Sequence, residues 1–254
     1  MKKFLIGSSE STSFTYIGLR IRSYEDGITV DQIQYADSLK PISISQDRSS
    51  QKTSHLEESE KKQYRGLVRQ LQWMATHTRP DIAFDTCELS VSFSKATISD
   101  LVKLNKLVDR VKREPLSLFF PRLHNLSEGT LECYTDAAFA NLPNGGSQGA
   151  FIIFITDRNG KRCPIHWQTR KLKRVVKSTI AAETMALLEG AEASIYIAAI
   201  LKQLGCAVRI NCVTDNKNLY DALKSSKQVE DKRLRIDISV MDDLLAKKEV
   251  DRVL

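Results

Sequence analysis

The spacing of apolar residues changes period more than once along this chain. Phe14 to about Ser23 is apolar and β-prone, Tyr24-Glu25-Asp26-Gly27 carries an Asp-Gly turn signal, and Ile28 to Ile33 is β-prone again, which predicts a hairpin. Gln34–Lys40 reads as a short helix, and Pro41 to about Ser59 as a polar, Ser-rich linker. From Lys61 the period becomes helical. Tyr64, Leu67, Val68, Leu71, Met74 and Ala75 fall on one face, predicting a helix to Thr78 that Arg79-Pro80-Asp81 stops. A second helix is expected over 81–93. A third, capped by Ser99, buries Leu101, Leu104, Leu107, Val108 and Val111. Lys103, Lys106, Arg110, Lys112 and Arg113 lie on or beside its polar face, open to two readings, a solvated face or a phosphate-contacting one. Leu116–Phe120 is a short strand closed by Pro121, and His124–Gly129 a polar connector.

Beyond Leu131 the pattern turns to strands. Leu131–Ala140, Ala150–Thr156 and Lys161–Gln168 are separated by Asn141–Gly146 and by Asp157-Arg158-Asn159-Gly160, whose Asn-Gly favours a tight hairpin. A helix is expected from Thr179 to Leu204 with Gly205 as its C-terminal stop, then a strand over 208–214, a short helix over 216–224, a polar loop over 225–232 and a last helix over 235–248. Three strands in hairpins followed by a helix, a strand and two helices describe an α/β fold, a mixed sheet flanked by helices.

Bulk numbers narrow this little. The 254 residues suggest one or two domains. The 38 Lys+Arg against 31 Asp+Glu give a net charge of +7, compatible with a polyanionic partner. Five cysteines without a CxxC, and four scattered histidines, argue against disulfide or zinc frameworks and for buried free thiols. The apolar run in Met1–Gly7 is too short for a signal peptide, and no run in the sequence resembles a membrane span, so a soluble, intracellular protein is expected.

Four acids sit where acids are disfavoured. Asp136 interrupts the strand Cys133-Tyr134-Thr135-Asp136-Ala137, and Asp215 ends the strand Val213-Thr214. Glu183, in Ser178-Thr-Ile-Ala-Ala-Glu183, lies on the flank of a buried stripe through Ile180, Leu187, Ala191, Ile195 and Ala198, while Glu189 and Glu192 are expected to face solvent. Asp237 follows Arg235-Ile236 near the start of the last helix. Singly, each has a plain explanation: a salt-bridged glutamate, a bulge residue, an N-cap for the helix at Asn216, a first-turn acid. As an ordered set, strand, helix, strand end and helix start, they point to one site. Two carboxylates ~4 Å apart repel by about 4 kcal/mol at an effective dielectric near 20, so four clustered acids require cations, and hard oxygen ligands select Mg²⁺ or Mn²⁺. Arg158, Lys161, Arg162, Arg170, Lys171, Lys173, Arg174 and Lys177 surround the hairpin turn and the connector before the Glu183 helix, and are the candidates for phosphate contact.

Tyr-Thr-Asp136-Ala, Ile-His-Trp167-Gln-Thr-Arg-Lys171, Ser178-Thr-Ile-Ala-Ala-Glu183, Thr-Asp215-Asn216 and Arg-Ile-Asp237-Ile together resemble the ribonuclease H domain of Ty1/copia-type retrotransposon Pol polyproteins. Upstream, Tyr64-Arg-Gly-Leu-Val-Arg-Gln-Leu-Gln-Trp73 with Thr78-Arg79-Pro80-Asp81-Ile82-Ala83 resembles the segment after the polymerase palm, and Phe14–Gly18 with Gly27–Gln32 their late palm hairpin. The resemblance implies a ribonuclease H-like fold over 131–254, short at its C-terminus. Before it would come a palm hairpin remnant (1–40), a linker (41–60) and a helical thumb- or connection-like region (61–130). It implies cleavage of the RNA strand of an RNA–DNA hybrid with two Mg²⁺ or Mn²⁺ ions, Asp136 bridging both, Glu183 and Asp215 completing one, Asp237 the other. The partners implied are the hybrid and the rest of the polyprotein, in cytoplasm, nucleus or virus-like particles. The family's aromatic-x-Asp-Asp polymerase hairpin is expected upstream of Phe14 and is not found. Val240-Met241-Asp242-Asp243 falls in the last helix, so no polymerase activity is expected from this stretch. A non-catalytic nucleic-acid-binding relic is the alternative. A transposase or integrase places its glutamate last and fits less well.

Overall fold

A computed structural model describes residues 12–142, 145–225 and 230–254. The Met1–Gly7 segment, part of the 141–146 turn and the middle of the 225–232 loop lie outside the described residues.

The chain builds two packed units. In the first, β1 (Ser13–Tyr16), β2 (Leu19–Ser23) and β3 (Gly27–Asp31) form an antiparallel meander, and β4 (Ser117–Pro121) returns to pair with β3, Ile28 opposite Phe120 and Val30 opposite Leu118. Between them lie α1 (Ile33–Ser38), α2 (Gln46–Ser50), α3 (Glu58–His77), a 3₁₀ turn (Pro80–Ile82), α4 (Ala83–Val91) and α5 (Ile98–Arg113). The predicted stripes form one core: Tyr64, Leu71 and Met74 of α3 meet Leu101 and Leu104 of α5. Two expectations change. Residues 41–60 are no linker: Ile42 and Leu56 are buried in that core and His55 bridges to Thr97. The α5 cap is Thr97, not Ser99, in a reciprocal capping box where Asp100 Oδ2 accepts from Thr97 N at 2.8 Å. The hairpin, linker and helical segments drawn separately from sequence thus share one sheet and one core.

The second unit holds β5 (Thr130–Leu142), β6 (Gly146–Thr156), β7 (Arg162–Lys171), α6 (Thr179–Gln203), β8 (Arg209–Thr214), α7 (Lys217–Lys224), α8 (Lys232–Ala246) and β9 (Arg252–Val253). The sheet order is β7-β6-β5-β8-β9, antiparallel across the hairpins and parallel from β5 to β9. Alternation along β5 sends Leu131, Cys133, Thr135 and Ala137 inward, where they are buried, and leaves Tyr134 and Asp136 exposed. The fifth strand was not predicted: two residues carry no readable period.

Contrary to the expectation from sequence, the 25-residue α6 is long and apolar enough to cross a membrane by length and composition. Here it packs along β5, β6 and β8. Close approach depends on Gly190. A Cβ there would meet Cys133 Sγ at 2.6 Å and Thr135 Cγ2 at 2.8 Å. All five cysteines are free, and all but Cys206 are buried.

The units meet along the outer edge of β7, against α4 and β4. Trp167 Nε1 donates to the Ala75 carbonyl at 2.6 Å, and Gln148 Nε2 to that of Phe84 at 3.3 Å.

Candidate metal centre

β5 and β8 run parallel with Thr135 opposite Thr214, so Asp136 and Asp215 occupy the next register position on neighbouring strands. The Thr135 hydroxyl donates to the Val213 carbonyl at 3.3 Å and fastens the two strands just below the acids. Asp215 is not the cap of the helix after it. Asn216 takes that role, its Oδ1 accepting from Leu219 N at 3.0 Å, and Asp215 is left to face Asp136. Glu183 comes from the first turns of α6, which Ser178 caps. One carboxylate oxygen from each of Asp136, Glu183 and Asp215 lies within 4.8 Å of the others.

Glu183 is only 4% exposed, and its Oε2 is buried without a hydrogen-bond partner. Burial first, and then the charges of Asp136 and Asp215, push its pKa up to about 7, with the Ala137 backbone N–H pulling weakly the other way. A buried, unpartnered carboxylate oxygen facing two further carboxylates is destabilised as it stands and satisfied by a cation. Three hard oxygen donors suit Mg²⁺ or Mn²⁺ and offer nothing that selects a softer metal, so the residues fit the divalent ion expected of them.

Asp237 does not join this group. Its side chain lies on α8, mostly buried, with Oδ2 2.5 Å from an Arg174 guanidinium nitrogen. The expected four-acid cluster is therefore a cluster of three, and Asp237 a partner of the basic connector. Asp242 and Asp243 also lie on α8, Asp243 paired with Lys247.

The candidate basic residues divide. Thr169 lies in the row of Ala150 and Asp136, whereas Arg162 lies in the row of Thr156 and Thr130. Six residues along a strand is ~20 Å, so Arg158, Lys161 and Arg162 sit at the end of the sheet away from the acids. Arg158 pairs with Glu128, and Arg162 pairs with Glu132 and covers the Phe154 ring. Arg170 is near the acids but is held in two bonds by Glu189, at 2.8 and 2.6 Å. Glu189 thus turns toward the protein, not to solvent as expected. Lys171, Lys173 and Lys177 remain exposed on the site side, with Arg174 tethered to Asp237.

Sequence reasoning missed the first unit's contribution. An open groove of about 270 Å³ runs beside Asp136, lined by Pro80, Ala83, Tyr134, Ile152, Trp167 and Thr169. It also passed over Gly190, although a glycine within a helical apolar stripe signals close packing.

The second unit's five-stranded mixed sheet, with a long helix laid across it and acids converging on its central strands, has the ribonuclease H-like fold. No family model matches the chain. The chain is similar to retrovirus-related Pol polyproteins from transposons. It is 29% identical over 145 residues to that of transposon RE1 of Arabidopsis thaliana, covering 56% of this chain. To that of transposon RE2 from the same plant it is 24% identical over 217 residues, covering 80%. The chain spans 9% and 14% of those two polyproteins. Among solved structures, the foamy viral protease-reverse transcriptase in complex with RNA/DNA hybrid aligns to 95% of this chain and 29% of its own, at 12% identity and a TM-score of 0.50, a likeness of fold. Ribonuclease H1 from Halobacterium salinarum aligns to 49% of this chain and 81% of its own, at 17% identity and a TM-score of 0.36.

Proposed function

We propose that residues 130–254 act as a metal-dependent nuclease that hydrolyses the RNA strand of an RNA–DNA hybrid. The observation that carries this reading is the convergence of Asp136, Glu183 and Asp215, with a buried Glu183 oxygen left unpartnered. The substrate class rests on the motif resemblance of the second unit together with its fold.

Bound divalent cations would supply charge neutralisation at the attacking water and at the leaving 3′ oxygen. The chain's own part is positional. Asp136 and Asp215 are set side by side by strand register, and Thr135 holds that register. Burial and its acidic neighbours raise the Glu183 carboxyl to about 7, and Glu183 would be one of the residues to hold a bound cation, in its deprotonated form. Lys171, Lys173 and Lys177 offer phosphate contacts on the site side, and Asp237 steadies Arg174 among them.

The test is hybrid cleavage with Mg²⁺, wild type against Asp136→Asn. Cleavage by the wild type, lost by at least two orders of magnitude in the variant, is expected. A folded wild type that binds hybrid without cutting it leaves the non-catalytic reading in place.

A further inference from the structure

Away from the acidic centre, α5 carries a stripe of positive charge. Lys103, Lys106, Arg110 and Arg113 fall within about 80° of one another around the helix axis at 100° per residue, and span ~15 Å along it at 1.5 Å per residue. They edge a groove of about 370 Å³ between α4 and α5, whose far side carries Asp85 and Glu88. The opposite face of α5, Leu101, Leu104, Leu107, Val108 and Val111, is buried, so the helix is fixed in rotation with this stripe turned outward. Two of the four cations are lightly held. Lys103 pairs with Glu88 at 3.4 Å and Arg110 with Asp85 at 3.0 Å, with all four side chains at least a third exposed. Such pairs are worth little and are readily exchanged for a phosphate. Arg110 also donates to the Asp81 carbonyl at 3.2 Å, which fixes it to the turn before α4. Lys106 and Arg113 have no ion pair among the described residues.

We propose that this stripe binds the phosphodiester backbone of one strand of the nucleic acid that the acidic centre processes. A rise of ~5 Å per helical turn sets successive cations at a spacing near that of phosphates along a strand, and the stripe is long enough for two or three of them. Its place in the fold favours the same ligand. α4 packs on β7, two strands from Asp136, and α5 borders α4 across the groove. Arg110 is bonded to the Asp81 carbonyl, between Pro80 and Ala83 of the groove beside Asp136, so the stripe begins close to the acids and within one turn of a duplex. A second anchor there would hold the helical phase of the duplex over the centre. It would act as a positioning surface, without touching the reacting atoms.

The inference rests on the nucleic-acid reading above, and the experiment separates the two. Lys103→Gln, Lys106→Gln and Arg113→Gln are combined, leaving the structurally engaged Arg110. A control of equal charge combines Lys202→Gln, Lys217→Gln and Lys248→Gln, exposed lysines of the second unit. Binding to a 24-base-pair RNA–DNA hybrid is measured against salt in Ca²⁺, and cleavage in Mg²⁺. The α5 variant is expected to bind roughly 10- to 100-fold more weakly at 0.1 M salt, with a log–log salt slope flatter by about 3. Its KM should rise by a similar factor with kcat nearly unchanged. Binding and slope like the wild type's, or an equal loss in the control, overturns the proposal while leaving the nuclease reading intact. A wild type that never cleaves but whose binding depends on α5 removes the nuclease reading and keeps this one.

Discussion

Glu183→Gln separates what this acid costs the fold from what it gives the site. Burial, then the charges of Asp136 and Asp215, push the Glu183 carboxyl up to about 7 from an ordinary 4.5. A carboxyl with a raised folded-state pKa keeps its proton in the native state after the unfolded chain has lost it. Stability therefore falls as pH rises from about 4.5 to about 7, and stays reduced above that range. At 1.36 kcal/mol per pH unit, that interval corresponds to about 3 kcal/mol. Glutamine has nearly the same shape and no charge to bury. Urea unfolding in EDTA across pH 4 to 8.5 measures both proteins. The stability of the variant minus that of the wild type should grow by about 3 kcal/mol between the two ends, any constant offset from the amide cancelling in the subtraction. Adding Mg²⁺ at pH 8 should then stabilise the wild type, by about 2.7 kcal/mol at one hundred times its dissociation constant, and leave the variant where it was. Parallel pH profiles for the two proteins in EDTA would show that Glu183 is not held under strain by burial and its acidic neighbours, and the reasoning for a cation there would fail with them.

Gly190→Ala should lower stability by roughly 1–3 kcal/mol, because the new Cβ meets the Cys133 sulfur at the α6–β5 contact. It should also weaken Mg²⁺ binding, since Glu183 rides on the displaced helix; calorimetry of both quantities checks it, and an unchanged metal affinity would mean that α6 absorbs the shift. Asp237→Asn should change Mg²⁺ affinity by no more than about twofold and stability by about 1 kcal/mol or less, because its partner Arg174 is 45% exposed. A hundredfold loss of cleavage with wild-type hybrid binding would return Asp237 to the metal ligands.

Local pattern carried much of the second unit. Asp136, Glu183 and Asp215 could each be named because an acid stands out on a β-prone strand, on a buried helical flank and at a strand end. Asp237 could not be sorted the same way. A buried acid in a helix looks identical in sequence whether its partner is a cation or a guanidinium, and Arg174 lies 63 positions away. The pairing of β3 with β4 was illegible for a similar reason: Val30 and Leu118 are joined only through the intervening helices. Residues 41–60 read as a linker because their composition is polar, yet Ile42 and Leu56 are enough to anchor them. Asp215 and Asn216 both suit an N-cap, and only the bond from Leu219 N decided between them.

The way α4 and β4 lie along β7 has a practical consequence. A ten-residue edge strand exposes a row of unpaired backbone donors and acceptors, a template for sheet-to-sheet aggregation. In this protein that edge is shielded by the preceding hundred residues, with Trp167 bonded to Ala75 across the junction. A fragment begun near Thr130, where sequence reading places the domain boundary, would uncover the strand and strip Trp167 of its acceptor. The upstream unit thus covers the edge along which the second unit could otherwise pair with copies of itself.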